Sequence, residues 1–100
     1  MRKIVDSFTG IYDEELNALE VDDEVSLFGM KGIVAFGCGA YGIGFYDEID
    51  WDLIESKILE VTGCDNAPYF CHNDNFISFW ELMWNFNCED NHCTVVNLIT

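Results

Sequence analysis

Hydrophobic positions along the chain change their period at about residue 50. Between Glu24 and Tyr46 they follow the two-residue repeat of extended chain: EVSLF at 24–28, IVAFGC at 33–38, then Ala40 to Tyr46. In the last of these, Tyr41, Ile43 and Phe45 fall on one side and Ala40, Gly42 and Gly44 on the other. The pattern predicts three strands, with Gly29-Met30-Lys31-Gly32 as the hairpin turn between the first two. A strand that is bulky on one face and bare on the other admits a close neighbour on the bare side, and the nearby tryptophans are the natural candidates to fill it.

From Asp50 the repeat becomes helical. Trp51, Ile54, Ile58 and Val61 form one stripe, Asp50 is a good N-cap, Asp52 lies in the first turn where negative charge suits the helix dipole, and Gly63 is a natural terminator. This predicts a helix over 50–62, followed by a polar loop over 64–74. A second helix is predicted over 75–86, capped by Asn75 and apolar nearly all round, which places Trp80 and Met83 in the core. After a loop at 87–91, CTVVNLI (93–99) has the β-branched content of a closing strand. Upstream, Tyr12 to Glu20 reads as a short helix with Asp13 as its cap and Leu16 and Leu19 on one face. RKIVDSF (2–8) fits a short strand or the start of a helix. The expected fold class is α+β: a small antiparallel sheet packed against two main helices, about 50–62 and 75–86. One hundred residues suit a single acidic globular domain over 1–100.

Charge changes this picture more than composition does. Nineteen Asp and Glu stand against four Lys and Arg, a net charge of −15. An aromatic content of 15% separates the chain from a disordered acidic tail. The charge excludes binding nucleic acid or an anionic membrane by bulk attraction, and it exceeds the magnitude of about 2–8 that solubility asks of a small domain. Arg2 and Lys3 are followed by acidic residues before any apolar stretch, so no secretory signal is read, and a cytoplasmic location is expected. The longest charge-free run, Gly32 to Tyr46, is too short and too glycine-rich for a membrane span.

Several constellations have the residues for chemistry but not the spacing. GCGAYGIG (37–44) lacks the Lys-Ser/Thr pair of a phosphate loop and is followed by Asp47 and Glu48. Five cysteines, an odd number, with no export signal predict reduced thiols, although disulfide connectivity is not legible in a sequence. Cys71, His72, Cys88, His92 and Cys93 contain enough donors for a zinc module, an alternative reading, but without paired CxxC spacing. Asp50-x-Asp52 is not followed by a calcium-binding loop. No nucleophile elbow or cysteine-protease signature surrounds any Cys or His. The expectation is a protein with no enzymatic activity, cofactor or metal.

The carboxylate strings are the strongest signal. One comprises Asp13, Glu14, Glu15, Glu20, Asp22, Asp23 and Glu24; the other Asp47, Glu48, Asp50, Asp52, Glu55 and Glu60. Helix and strand spacings both array such charges about 5–7 Å apart, complementary to a Lys/Arg groove built for phosphates. The expected function is therefore a small acidic inhibitor that occupies the basic nucleic-acid-binding surface of a nucleic-acid-processing protein. The style is that of phage or mobile-element proteins acting against restriction or CRISPR machinery, an analogy of size and charge. The expected contact residues are Asp47, Glu48, Asp50, Asp52 and Glu55, with Glu14, Glu15, Asp22, Asp23 and the aromatic Trp51; Tyr12, Tyr46 and Tyr69 are further candidate anchors. An immunity protein or antitoxin masking a basic nuclease toxin uses the same physics, and an acidic surface that serves solubility alone is the plain alternative. A monomer or homodimer is expected, with a basic nucleic-acid-binding protein as partner and no direct contact with nucleic acid or membrane.

Overall fold

The structure, a computed structural model, describes residues 8–37, 39–63, 70 and 75–99. The chain folds as α+β, with a two-stranded sheet, a five-stranded antiparallel sheet and two helices. β1 (Phe8–Tyr12) and β2 (Ala18–Glu20) pair with each other. β3 (Glu24–Leu27), β4 (Met30–Gly37) and β5 (Ala40–Phe45) form a meander. α1 (Trp51–Thr62) follows, then β6 (Phe76–Ser78), α2 (Phe79–Asn85) and β7 (Val96–Ile99). The large sheet has the order β6-β5-β4-β3-β7.

The alternating pattern at 24–46 produces the meander as expected, with a tighter turn that leaves Met30, Lys31 and Gly32 in β4. Leu27 pairs with Met30, so the hairpin turns at Phe28 and Gly29, both with positive φ (53° and 90°). This is the backbone of a two-residue turn whose twist matches that of the strands. Val25, Leu27, Val34, Ile43, Phe45, Ile77 and Val96 line the buried face. Ile54 and Ile58 of α1 and Phe79 and Leu82 of α2 close the core over it. α1 begins at the Asp50 cap and ends at left-handed Gly63, as its sequence predicts, although Val61 of the expected stripe is exposed.

Four expectations are corrected. Tyr12 to Glu20 is not a helix: Leu16 has φ of 67°, and Ile11 and Leu19 reach the core from β1 and β2. The second helix starts at Phe79 rather than Asn75, because Ile77 is paired with Ile43 in the sheet and Ser78, not Asn75, is the N-cap. Ser78 and Glu81 form a reciprocal capping box: the Ser78 hydroxyl oxygen accepts from the Glu81 N–H at 3.1 Å, and Glu81 Oε1 accepts from the Ser78 N–H at 3.0 Å. The bare side of β5 is filled not by tryptophan but by β6. A Cβ on Gly42 falls 2.6 Å from Ser78 Cα and 2.7 Å from the Phe76 ring, so only glycine lets the strands meet there. Trp80, expected in the core, is 55% exposed and Trp84 66%, while Met83 is partly buried against the core. Residues 2–7, most of the 64–74 loop and the cysteines Cys38, Cys64 and Cys71 lie outside the described residues. Among those described, no helix is long and apolar enough to cross a membrane.

Candidate functional site

Asp47, Glu48, Asp50, Asp52 and Glu55 are all exposed, on a segment held at both ends. At one end the Tyr46 N–H donates to the Lys31 carbonyl at 3.1 Å, extending the β4–β5 ladder by one residue. At the other, Asp50 Oδ1 accepts from the Leu53 N–H at 3.1 Å. Ile49, packed on the core between them, keeps the connection down. Asp52 and Glu55 then project from the first turns of α1, three residues apart and hence on neighbouring positions of one face. Trp51, an expected anchor, is half-buried beside Phe70, with ring centroids 5.1 Å apart.

Tyr46 joins β3 to this corner. It is 55% exposed, and its hydroxyl donates to the carboxylate of Glu24. Glu24, Ile33 and Gly44 stand in line across β3, β4 and β5, and Tyr46 follows Gly44 two residues on, on the same face. Loss of solvent around the phenol, then the charge and hydrogen bond of Glu24, raise the Tyr46 pKa above the usual phenol range. Beside it a groove of about 270 Å³ has Met30, Phe45 and Tyr46 in its walls and Lys31, Asp47 and Glu48 at its polar positions.

The first acidic string is placed differently. Asp13 is 1% exposed and accepts four hydrogen bonds. Its Oδ1 takes the Glu15 and Asn17 N–H groups at 3.0 and 2.8 Å, and its Oδ2 takes the Asn17 side-chain amide at 3.2 Å and the Leu98 N–H at 2.8 Å. Burial pushes the Asp13 carboxyl up, but these bonds outweigh it and hold its pKa below the ordinary value. Together with the Glu14 N–H, which donates to the Val96 carbonyl at 2.9 Å, Asp13 supplies partners along the outer edge of β7. Asp23 is also committed locally, accepting from the Glu20 N–H at 2.8 Å. Glu14, Glu15 and Asp22 remain exposed on the turns. Tyr12 is half-buried, with its backbone bonded to Asn91 and Cys93. Tyr69 lies outside the described residues.

A second constellation stands after α2. Asp90 and Asn91 have φ of 59° and 58°, and the His92 N–H donates to the Glu89 carbonyl at 2.9 Å. This tight turn folds the chain back between Cys88 and Cys93. Both are free thiols, with Cys93 buried and Cys88 half-buried. The Cys93 thiol donates to the Cys88 sulfur, which also lies 3.5 Å from the Thr94 hydroxyl. These bonds, above all that from Cys93, bring the Cys88 pKa down to about 5 against the effect of burial, with a smaller contribution from His92. The Cys93 thiol moves the other way, raised by the bond it donates, by burial and by the Cys88 charge. Cys88 opens onto a groove of about 690 Å³ walled by Trp80, Met83 and Trp84. The turn-forming Asp90-Asn91 pair is the sequence signal for this arrangement; the expected loop at 87–91 missed it.

The zinc reading required Cys71 and His72, which lie outside the described residues. Among the described residues no group of three or more His, Cys, Asp or Glu is placed to hold a metal ion. Comparison with protein-family models, with curated proteins and with solved structures finds no match in any of the three.

Proposed function

We propose that the protein is an acidic inhibitor that binds the basic nucleic-acid-binding surface of another protein, with the corner from Tyr46 to Glu55 as its main contact. The observation that carries this reading is the presentation of Asp47, Glu48, Asp50, Asp52 and Glu55, all exposed, on a backbone fixed by the sheet and by the α1 cap. Carboxylates held in place offer an array to Lys and Arg without first losing conformational freedom, which favours association. The groove beside Tyr46 adds a fitting detail: apolar walls accommodate the aliphatic stem of a Lys or Arg while Asp47 and Glu48 meet its head. Four cations cannot neutralise nineteen carboxylates, so the charge is available to a partner.

The experiment is capture from host lysate on the immobilised full chain at low and at molar salt, followed by the variant Asp47→Lys/Glu48→Lys/Asp52→Lys/Glu55→Lys. Retention of a basic nucleic-acid-binding protein that is released by salt and lost in the variant supports the reading. Retention unchanged in molar salt, or unchanged in the variant, overturns it.

A further inference from the structure

We propose that Cys88 and Cys93 form a dithiol site that reduces small disulfides, preferring cationic ones, with Cys88 as the attacking sulfur and Cys93 as the resolving one. The geometry has three parts. The turn at Asp90-Asn91 places the two sulfurs in hydrogen-bond contact. The Cys88 sulfur lies 3.5 Å from the hydroxyl of Thr94, the residue next to Cys93, so the two cysteines are neighbours in space as well as in sequence. One sulfur is accessible and the other is not: Cys88 borders the open groove, whereas Cys93 is buried behind it.

The chemistry balances without a further reagent. The Cys88 thiolate attacks one sulfur of a disulfide RSSR, forming a mixed disulfide and expelling RS⁻. Cys93 then attacks the Cys88 sulfur, its proton passing to solvent or to the departing thiolate, and a second RS⁻ leaves. Two electrons pass from the protein thiols to the reagent; the products are the Cys88–Cys93 disulfide and two RSH. The first step prepares the second. Of the influences that hold the proton on Cys93, its bond to the Cys88 thiolate and the thiolate charge both vanish once Cys88 is capped.

The preference for a cation follows from the surroundings. Glu89 lines the groove beside Cys88, and Trp80 and Trp84 stand with ring centroids 6.0 Å apart, offering aromatic faces to an ammonium group. The His92 ring is engaged elsewhere: its Nε2–H donates to the Glu14 carbonyl at 3.0 Å.

The test uses the reduced full chain with cystamine, a dication, and with oxidised glutathione, an anion, read by mass spectrometry and peptide mapping. The expected product is a Cys88–Cys93 cross-link, formed faster with cystamine at low salt, the difference closing as salt rises. Cys93→Ser is expected to stop at the mixed disulfide on Cys88, and Cys88→Ser to lose the fast reaction. Should Cys93→Ser fail to fold, alkylation of the native chain by iodoacetamide replaces it. At pH 6 Cys88 is expected to react roughly tenfold faster than an ordinary thiol, after allowing for the lower nucleophilicity of a low-pKa sulfur. Its rate should be nearly flat from pH 6 to 8, while an ordinary thiol gains about tenfold per unit. Cys93, Glu89 and His92 are the titratable groups around Cys88. First reaction at another cysteine, or parallel reaction of all five with steeply rising rates, overturns the site; equal rates with the anion overturn the preference.

Discussion

Two acidic segments, of seven and five carboxylates, serve this protein in different ways. In the segment from Asp13 to Glu24, two carboxylates are committed to the backbone: buried Asp13 ties a turn to β7, and Asp23 closes the turn that follows β2. In the segment from Asp47 to Glu55 the carboxylates turn outward, and only Asp50 is spent on a backbone bond, at the α1 cap. The lesson is that a carboxylate string reports charge, not its use. Use depends on whether nearby backbone N–H groups lack other partners. Around Asp13 they do: the Leu98 N–H lies on the open edge of β7, and a buried donor without an acceptor is costly.

The largest test of the contrast is Asp13→Ala, expected to cost roughly 3–5 kcal/mol in urea unfolding because it orphans N–H groups on two elements. Asp13→Asn sharpens it through pH. A carboxyl whose pKa is lowered on folding contributes stability that is complete above its unfolded value of about 3.9 and is lost as pH falls through the folded value. The gap between wild type and Asp13→Asn should therefore narrow on acidification below about pH 4.

The same rule, that position decides use, predicts a split within α2. Phe79→Ala, in the core, is expected to cost about 3–5 kcal/mol, whereas Trp80→Ala, next in sequence and mostly exposed, should cost less than about 1.5 kcal/mol in the same assay. Equal losses would place Trp80 back in the core.

For the outward segment, reversing Asp47, Glu48, Asp52 and Glu55 to Lys should change stability by no more than about 1 kcal/mol, the lost helix-dipole contribution of Asp52 being offset by relief of self-repulsion. Partner affinity, by titration calorimetry, should fall by about a hundredfold. Reversing Glu14, Glu15, Asp22 and Asp23 should show the opposite balance, with little loss of affinity and a loss of about 1 kcal/mol or more of stability through Asp23.

The smallest effect is spectroscopic. In an ultraviolet titration the Tyr46 phenol should ionise above the ordinary range in the wild type and move back toward it in Glu24→Gln. A raised phenol pKa means that this contact supports the fold below the unfolded value and is lost as pH rises through the folded one. An unmoved titration in Glu24→Gln would detach β3 from the acidic corner.

Much of the fold was legible because it depends on neighbours in sequence. The alternation at 24–46 and the cap, stripe and glycine of α1 are set within a few residues, and both elements form where the pattern puts them. The start of α2 was legible in principle, since Ser78-x-x-Glu81 is a local capping signal, but the apolar run from Phe76 obscured it. The exposed carboxylates of the candidate contact corner could be named from sequence; their fixation by Lys31, Leu53 and Ile49 could not. Asp13 and Cys88 lay further out of reach. In sequence Asp13 is one acidic residue among seven, and its bond to Leu98 crosses 85 positions. Cys88 is one thiol of five until a turn brings Cys93 beneath it. Periodicity and capping chemistry are properties of a short stretch of chain, so the sequence by itself determined the β3–β5 meander, the first helix and the net charge. Which acid is buried depends on a donor delivered from 85 positions away, and which thiol is acidified on a turn that packing holds in place; only the tertiary structure, where water is excluded and those donors converge, decided both.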